Sequence, residues 1–405
     1  MGPSADDVDA GGLGRAHSGR HRGGARHRVF RTDLAVTLFF YGTLRHPPLL
    51  AAVLGRDPGP LPAARLPGHE VRWVAGHHIP MIVEGGAGAD GVVYAPSSGE
   101  RARLDAYEAG FAFGTRTVEV TAAGGPVRAE VYWPDTARFV PGAPFVLADW
   151  AARWGGTAPE AAAEFLCRLE RGEPAEDARR FFPAMEARAW ARQLARAHPG
   201  RADLRQPGNP VEVLKEHEGF HGFFRFRHLD LRHRPFAGDW TPPFTRECYI
   251  GFDAALVLPY DPATDEVLLI EQLRLAASLR GDPNPMCLEP VAGLIEGGES
   301  PEDTARREAR EEAGIEVGEL IPVLRSYPSP GYSTEFHHAF VGLADLAGAH
   351  MRRGGAEGEM EDIRSHVLPL DAAVALIGTG ELTATPVAML LLWLARERDR
   401  GRFAR

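Results

Sequence analysis

The spacing of apolar residues changes twice along this chain. From Leu34 to Tyr41 they run almost unbroken and stop at Gly42-Thr43, which predicts a buried strand entering a loop. Short β-type runs follow at Gly91 to Tyr94, Thr117 to Val120 and Val127 to Trp133, broken by Gly and Pro pairs and by one helical patch near Leu104. This stretch reads as a small α/β barrel or sandwich. Between Phe145 and Ala197 the spacing becomes helical, with Trp150, Trp154, Phe165, Leu169, Phe181 and Trp190 as apolar anchors, so a helical connector is expected. The Pro- and Gly-containing stretch Pro199 to Pro210 reads as a boundary. Beyond Val211, β and aromatic residues return (Phe220 to Leu231). Asp253 to Gln272 then carries two apolar runs joined by the turn sequence Tyr260 to Asp265, which predicts a hairpin.

Length fits this division, because 405 residues exceed what one core usually holds. The expected segments are a disordered tail at 1–33, a first domain at 34–144, a helical connector and linker at 145–210, and a second domain at 211–405. The tail follows from Arg15 to Arg31, which mixes Gly, His and Arg with almost no apolar residues and lacks the apolar centre of a signal peptide. A net charge of −10 argues against nucleic acid as a partner, since binding a phosphate backbone draws on clustered cations. The longest apolar run, Val387 to Ala395, is about half of what a membrane span requires, so no membrane association is expected. Cys167, Cys248 and Cys287 lie far apart without a CxxC pair, which points to a reducing, cytoplasmic setting.

The chemistry concentrates in GLIEGGESPEDTARREAREEAGI, Gly293 to Ile315. Ser300 suits a helix N-cap, Pro301 its first turn, Asp303 a capping-box position and Gly314 the C-terminal stop. On the helix so bounded, Ala305, Ala309 and Ala313 recur every four residues and give a narrow face for close packing on a sheet. Glu308, Glu311 and Glu312 share another face. Carboxylates at these spacings repel by roughly 0.2–0.5 kcal/mol per pair and oppose the helix dipole near the C-terminus. A hard dication such as Mg²⁺ or Mn²⁺ removes that conflict.

The segment fits G-x5-E-x7-R-E-U-x-E-E-x-G-U at every fixed position, with Ala309 where a bulkier aliphatic is usual, and it resembles the box of the Nudix hydrolases. Over roughly Phe220 to Ala395 the chain is similar to the ADP-ribose pyrophosphatases among them. Pro330, fifteen residues beyond Ile315, stands where that subfamily carries a marker proline. Glu271-Gln272-Leu273-Arg274 resembles its EQxR strand end, Glu289 to Gly293 its approach to the box, and Glu359 to Arg364 its acidic loop. Phe220 to Phe224 and Arg246-Glu247 resemble its dimer-forming strands more loosely. The resemblance implies an α/β/α sandwich with a mixed sheet. It also implies metal held by the Ala292 carbonyl, Glu308, Glu312 and Glu361, with Glu308, Glu312 and the general base Glu359 as catalytic groups. Phe220, His221, Arg246, Arg274, Leu294, Pro330 and Glu335 would bind substrate, and the enzyme would be a Mg²⁺-dependent homodimer paired through this domain. The implied reaction is ADP-ribose plus water giving AMP and ribose 5-phosphate. Alternatives are another nucleotide sugar, a dinucleotide, or a non-catalytic ADP-ribose-sensing module.

In the first domain, Tyr41-Gly42-Thr43-Leu44, Gly91-Val92-Val93-Tyr94 and Leu104 to Glu108 resemble the gamma-glutamylcyclotransferase-like fold, a small β-barrel with helices. The resemblance gives Glu108 the acid/base role and the Tyr41 to Leu44 backbone the substrate cradle. Where that family reads EG followed by Tyr-x-Arg, this chain has Glu108-Ala109-Gly110 leading into Phe113-Gly114-Thr115-Arg116. The domain order resembles that of bacterial tellurite-resistance-associated Nudix proteins. The adjacent pairs His77-His78 and His337-His338 read as ordinary structural histidines, because strand neighbours point to opposite faces.

Overall fold

The computed structural model describes residues 36–111, 113–206, 208–355 and 360–403, so the expected tail and Glu359 lie outside the described residues. The first half runs β1 (Leu38–Phe40), α1 (Pro47–Leu54), β2 (Ala63–Leu66), β3 (His69–Val74), β4 (Pro80–Glu84), β5 (Ala89–Tyr94), α2 (Ser98–Ala109), β6 (Phe113–Ala122), β7 (Gly125–Pro134) and β8 (Pro141–Pro144). Strands β1, β5, β2, β6 and β7 close into a barrel, while β4, β3 and β8 form a separate three-stranded sheet. Of the two forms expected, it is the barrel. The unbroken apolar run through β1 has a simple cause. Phe39 and Tyr41 pack inside the barrel with Ala64, Val120 and Val131, and Leu38 and Phe40 pack outside against helices, so neither face meets water.

Four helices follow: α3 (Leu147–Trp154), α4 (Ala158–Glu170), α5 (Ala175–Arg180) and α6 (Phe182–Ala197). Trp150, Ala161, Phe165, Ala178 and Met185 from them join Leu49, Val53 and Leu104 of α1 and α2 in one core on the outside of the barrel. The end of α6 leaves that core, and Leu194 enters the core of the second half.

The second half opens with an antiparallel sheet of β9 (Val211–His217), β10 (Arg225–His233) and β11 (Phe244–Ile250). The expected hairpin follows as β12 (Asp253–Asp261) and β13 (Glu266–Leu273), paired only at Tyr260↔Val267 and Asp261↔Glu266. Past the turn the strands splay. After α7 (Leu275–Arg280), β14 (Met286–Glu289) pairs with β13 and β15 (Val291–Leu294) pairs with β12, so one stretch of chain bent at Pro290 fills the gap. The remainder comprises α8 (Pro301–Ala313), β16 (Leu320–Ser326), β17 (Phe336–Leu343), β18 (Arg353–Gly354), β19 (Ile363–Pro369), α9 (Leu370–Ala375) and α10 (Thr385–Asp399). Strand β17 runs parallel to β12, which makes the sheet mixed.

Helices cover both faces. Ala255 and Val257 of β12 meet Ala305, Ala309 and Ala313 of α8, whereas Ala254, Leu256 and Leu258 meet Val387, Leu390, Leu391 and Leu394 of α10. This is the α/β/α sandwich anticipated from sequence. Helix α8 starts at Ser300, whose hydroxyl oxygen accepts the Asp303 N–H, and ends at Gly314 with φ of 64°. Its alanine face lets it lie close to the sheet. Ala309→Leu should therefore destabilise the protein by roughly 1–3 kcal/mol through overpacking, read as a lower urea midpoint with helix content retained.

Candidate active site

Strand β15 and the C-terminal turns of α8 bring the box carboxylates together. The Ala292 N–H donates to Glu312 Oε2 at 3.0 Å, and Glu312 is 3% exposed. Glu308 folds over Gly293 so closely that a Cβ there would collide with its carboxylate. Gly354 packs against the Glu312 backbone carbonyl with no room for a side chain, and the Gly355 N–H donates to Glu311 O at 3.1 Å; Gly355 in turn abuts Glu361. Thus Gly354 and Gly355 bring the backbone beside Glu361 to the same end of α8.

Arg307 organises the approach. Its Nε and Nη2 donate to the two oxygens of Glu299 at 3.0 and 3.1 Å, and its Nη1 donates to Glu308 Oε1 at 2.7 Å and Glu311 Oε2 at 3.0 Å. Even so, the carboxylates are uncomfortable. Burial drives Glu308 up to about 7 against the pull of Arg307, with Glu311 and Glu361 adding repulsion. Burial likewise carries Glu312 up to about 8, opposed by the Ala292 N–H and reinforced by Glu308 and Glu361. As placed, no three acidic, His or Cys side chains among the described residues close into a cage. The donor set nevertheless fits a hard cation: oxygen ligands, a glycine cradle and carboxylates whose ionised forms lack compensation.

The other expected contacts are spread around this cluster. Arg274 lies close enough to Glu312 to favour its ionised form, and its Nε donates to Glu289 Oε2 at 2.6 Å. Leu294 is half exposed beside the cluster, and its carbonyl accepts from Arg307 at 3.2 Å. Pro330 sits in an exposed loop tied to β11 by the Tyr249 N–H donating to Tyr332 O at 2.8 Å. Glu335 lies beside Tyr249 and bonds His337 at 2.9 Å. Phe220 is 63% exposed, and burial with the cations Arg225 and Arg171 holds His221 down at about 4. Arg246 stacks on Phe244 and donates to Thr245 O. Among the described residues, no hydrogen bond or ion pair joins Phe220, His221 or Arg246 to the carboxylates.

Spacing gave no warning of two residues that touch this region. Trp190 of α6, expected only as an apolar anchor, donates its indole N–H to Glu299 O at 2.9 Å. Arg188, two positions earlier, is 1% exposed and donates to Phe223 O at 2.8 Å. Of the paired histidines, His338 bonds the buried Asp253 and His78 bonds Glu186.

A second concavity, of about 60 Å³, lies in the first half. Tyr41, Gly42, Thr43, Leu44 and Glu108 all line it, together with Phe113. Arg116 stacks instead on Trp133. Burial, reinforced by the charge of Asp105, which the Tyr132 hydroxyl holds at 2.8 Å, pushes Glu108 up to about 8. Gly42 permits the close approach of Pro80, whose Cγ would lie 2.7 Å from an added Cβ.

With this geometry in place, comparison with known proteins is decisive for the family. A NUDIX domain matches residues 252–388, and a gamma-glutamyl cyclotransferase, AIG2-like domain matches residues 38–152. The chain is 41% identical over 186 residues to the ADP-ribose pyrophosphatase of Escherichia coli (strain K12), covering 46% of this chain and 88% of that protein. It is 39% identical over 186 residues to the ADP-ribose pyrophosphatase of Haemophilus influenzae, covering 45% and 85%. A GDP-mannose pyrophosphatase of Citrobacter koseri is 38% identical over 149 residues, 37% of this chain and 76% of that protein. The chain belongs to the Nudix family and carries an AIG2-like gamma-glutamyl cyclotransferase domain ahead of the Nudix domain. It is a pyrophosphate-hydrolysing enzyme.

The raised carboxylates set a pH dependence. Below the ordinary glutamate range both folded and unfolded chains hold the Glu312 proton; as pH rises towards 8 only the folded protein retains it, so this contribution to stability is lost. Glu108 contributes with the same sign. Comparing melting temperatures between about pH 5 and pH 8, the fall with rising pH should be shallower in Glu312→Gln than in the unaltered protein.

Proposed function

We propose that the second half hydrolyses ADP-ribose to AMP and ribose 5-phosphate with Mg²⁺, or Mn²⁺, as its metal. The observation that carries this reading is the pair of half-buried Glu308 and buried Glu312 on a helix end facing Ala292, with ionisation opposed by burial and by neighbouring acids. Glu308, Glu312, Glu361 and the Ala292 carbonyl would hold the cation. When bound, such a cation neutralises charge on the diphosphate and lowers the pKa of water. Arg274 would orient the diphosphate through its guanidinium fork, from a position already fixed by Glu289. Phe220 offers an exposed ring for stacking on the base, and His221, kept neutral, offers a hydrogen bond without adding charge. Arg246 would meet phosphate, Leu294, Pro330 and Glu335 would line the substrate, and Glu359 would accept the proton from water.

Supporting the substrate choice is the identity to two ADP-ribose pyrophosphatases; the GDP-mannose pyrophosphatase relative makes other nucleotide sugars the principal alternative. Exposed Val213, Leu214, Phe220, Phe224 and Phe226 around β9 and β10 support pairing of two copies through this sheet. Free cysteines and the lack, among the described residues, of a helix long and apolar enough to cross a membrane are consistent with a cytoplasmic enzyme.

Purified protein should release AMP from ADP-ribose only with a divalent cation, and Glu312→Gln should lower kcat by about 100-fold or more. Faster turnover of GDP-mannose than of ADP-ribose would reassign the substrate. Absence of AMP release would sink the reading.

A second activity has its own support in Glu108, a carboxyl kept protonated near neutral pH inside a cavity. There the α-amine of a gamma-glutamyl compound would attack its own γ-carbonyl, the amide bond would break, and Glu108 would give its proton to the departing amine and take up the one the α-amine loses. Formation of 5-oxoproline from gamma-glutamyl amines, abolished by Glu108→Gln, is the expected outcome of a product assay. No product from any gamma-glutamyl compound would leave this cavity a binding site only.

A further inference from the structure

Residues 153–251 fall between the two matched domains, and they contain α4, α5, α6 and the loop before β10. We infer that α6 is a brace for the Nudix site, with Arg188 and Trp190 as positioning residues for substrate binding and for the box helix respectively. This inference rests on the ADP-ribose reading proposed above.

Two adjacent stripes of α6 carry the brace. On one, Ala184, Ala187 and Arg188 pack around Phe252, the residue that enters β12. Arg188 is nearly inaccessible, with Glu164 of α4 as its partner: Nη2 donates to Glu164 Oε1 at 2.5 Å. Its Nη1 is left to donate to Phe223 O at 2.8 Å, and Arg168 Nη1 approaches the preceding carbonyl, Gly222 O, at 3.5 Å. Two buried guanidiniums therefore address consecutive carbonyls of the loop that presents Phe220 and His221. A buried arginine is expensive to desolvate and has few ways to be satisfied, so it fixes what it donates to. The loop's own bonds are short-range, Gly222 N–H to Phe224 O and Phe226 N–H to Phe220 O, and leave its position relative to the Nudix sheet to these contacts and to aromatic packing on Phe252.

On the other stripe, Glu186, Trp190 and Leu194 are spaced by four and face the Nudix box. Leu194 is in the core beneath α8, and Glu186 lies against Gly297. Trp190 grips the Glu299 carbonyl, while the Glu299 side chain holds Arg307, which in turn holds Glu308. One indole N–H is thus linked through two residues, Glu299 and Arg307, to the Glu308 carboxylate of the cluster.

The two contacts should be separable in kinetics. The test uses the full chain carrying either Glu164→Leu with Arg188→Met, which removes the pair together and leaves Arg225, also 3.5 Å from Glu164, with Glu216 as its partner at 3.1 Å, or Trp190→Phe, which keeps the ring and removes one N–H. Steady-state hydrolysis of ADP-ribose with Mg²⁺ is measured alongside hydrogen exchange at residues 220–226. For the double variant the expected result is KM raised about tenfold with kcat within about twofold, and about tenfold faster exchange in the loop. For Trp190→Phe it is kcat lowered about fivefold with KM nearly unchanged. A purely structural role would instead lower the folded fraction without splitting KM from kcat. Folded variants with unaltered kinetics and unaltered exchange would overturn the brace. Should the double variant fail to fold, Trp190→Phe decides, and unchanged kcat rejects the inference. Should the unaltered protein release no AMP, the proposed function fails on its own account. Exchange then decides the brace: faster exchange in the double variant supports it and equal exchange rejects it.

Discussion

Burying like charges is unfavourable, and the second half of this protein is built around doing so. Glu308 and Glu312 stand four residues apart near the end of α8, where burial above all, and then neighbouring acids, oppose their ionisation. What keeps them in place is geometric. The splayed hairpin of β12 and β13 admits the bent segment β14 and β15, which delivers the Ala292 N–H to Glu312 and the bare Cα of Gly293 to Glu308. The alanine face of α8 allows the helix to sit low enough for those contacts. Glu299 and Arg307 then tie the loop before the helix to its outward charges.

Local features of this arrangement were legible in the residues. Ser300, Pro301 and Gly314 bounded α8 because caps and stops depend on a few adjacent residues. The turn from Tyr260 to Asp265 was legible for the same reason, and so was the unbroken apolar β1. The splay of the hairpin was not, since it is decided by partners that come from 286–294, 336–343 and 363–369. Helix α1 escaped notice because Pro47–Leu54 is apolar all round and carries no amphipathic period. The candidate site divides along similar lines. Box residues assemble because their spacing is helical, and two of the three short motifs of the first half, Tyr41 to Leu44 and the segment ending at Glu108, meet at one cavity. Nothing in the local pattern marks Arg168 and Arg188 as buried; Glu173 and Glu164 pair with them, and the carbonyls of Gly222 and Phe223, more than thirty residues away, take up remaining donors.

The helical segment is accordingly more than a spacer. Its first three helices share a core with the barrel, and its last enters the core of the sandwich. His78, on the turn that also supplies Ile79 and Pro80 to the Glu108 cavity, stacks on Trp154 and bonds Glu186 of α6 at 2.8 Å. Burial alone would lower the pKa of this imidazole, but the Glu186 carboxylate outweighs burial and raises it. The wall of one cavity and the loop of the other site are therefore held by neighbouring turns of a single helix.

That shared helix constrains how the chain can have been assembled. A free-standing pyrophosphatase joined to a barrel by a slack tether would keep its own surface, and either half could later be lost or exchanged. Here the seam is hydrophobic and ionic at once, with Leu194, Phe252 and the Arg188–Glu164 pair all closed off from water. Cutting at 210 would strip the second half of a wall that α6 supplies and would open Phe252 and the neighbours of Leu194 to water.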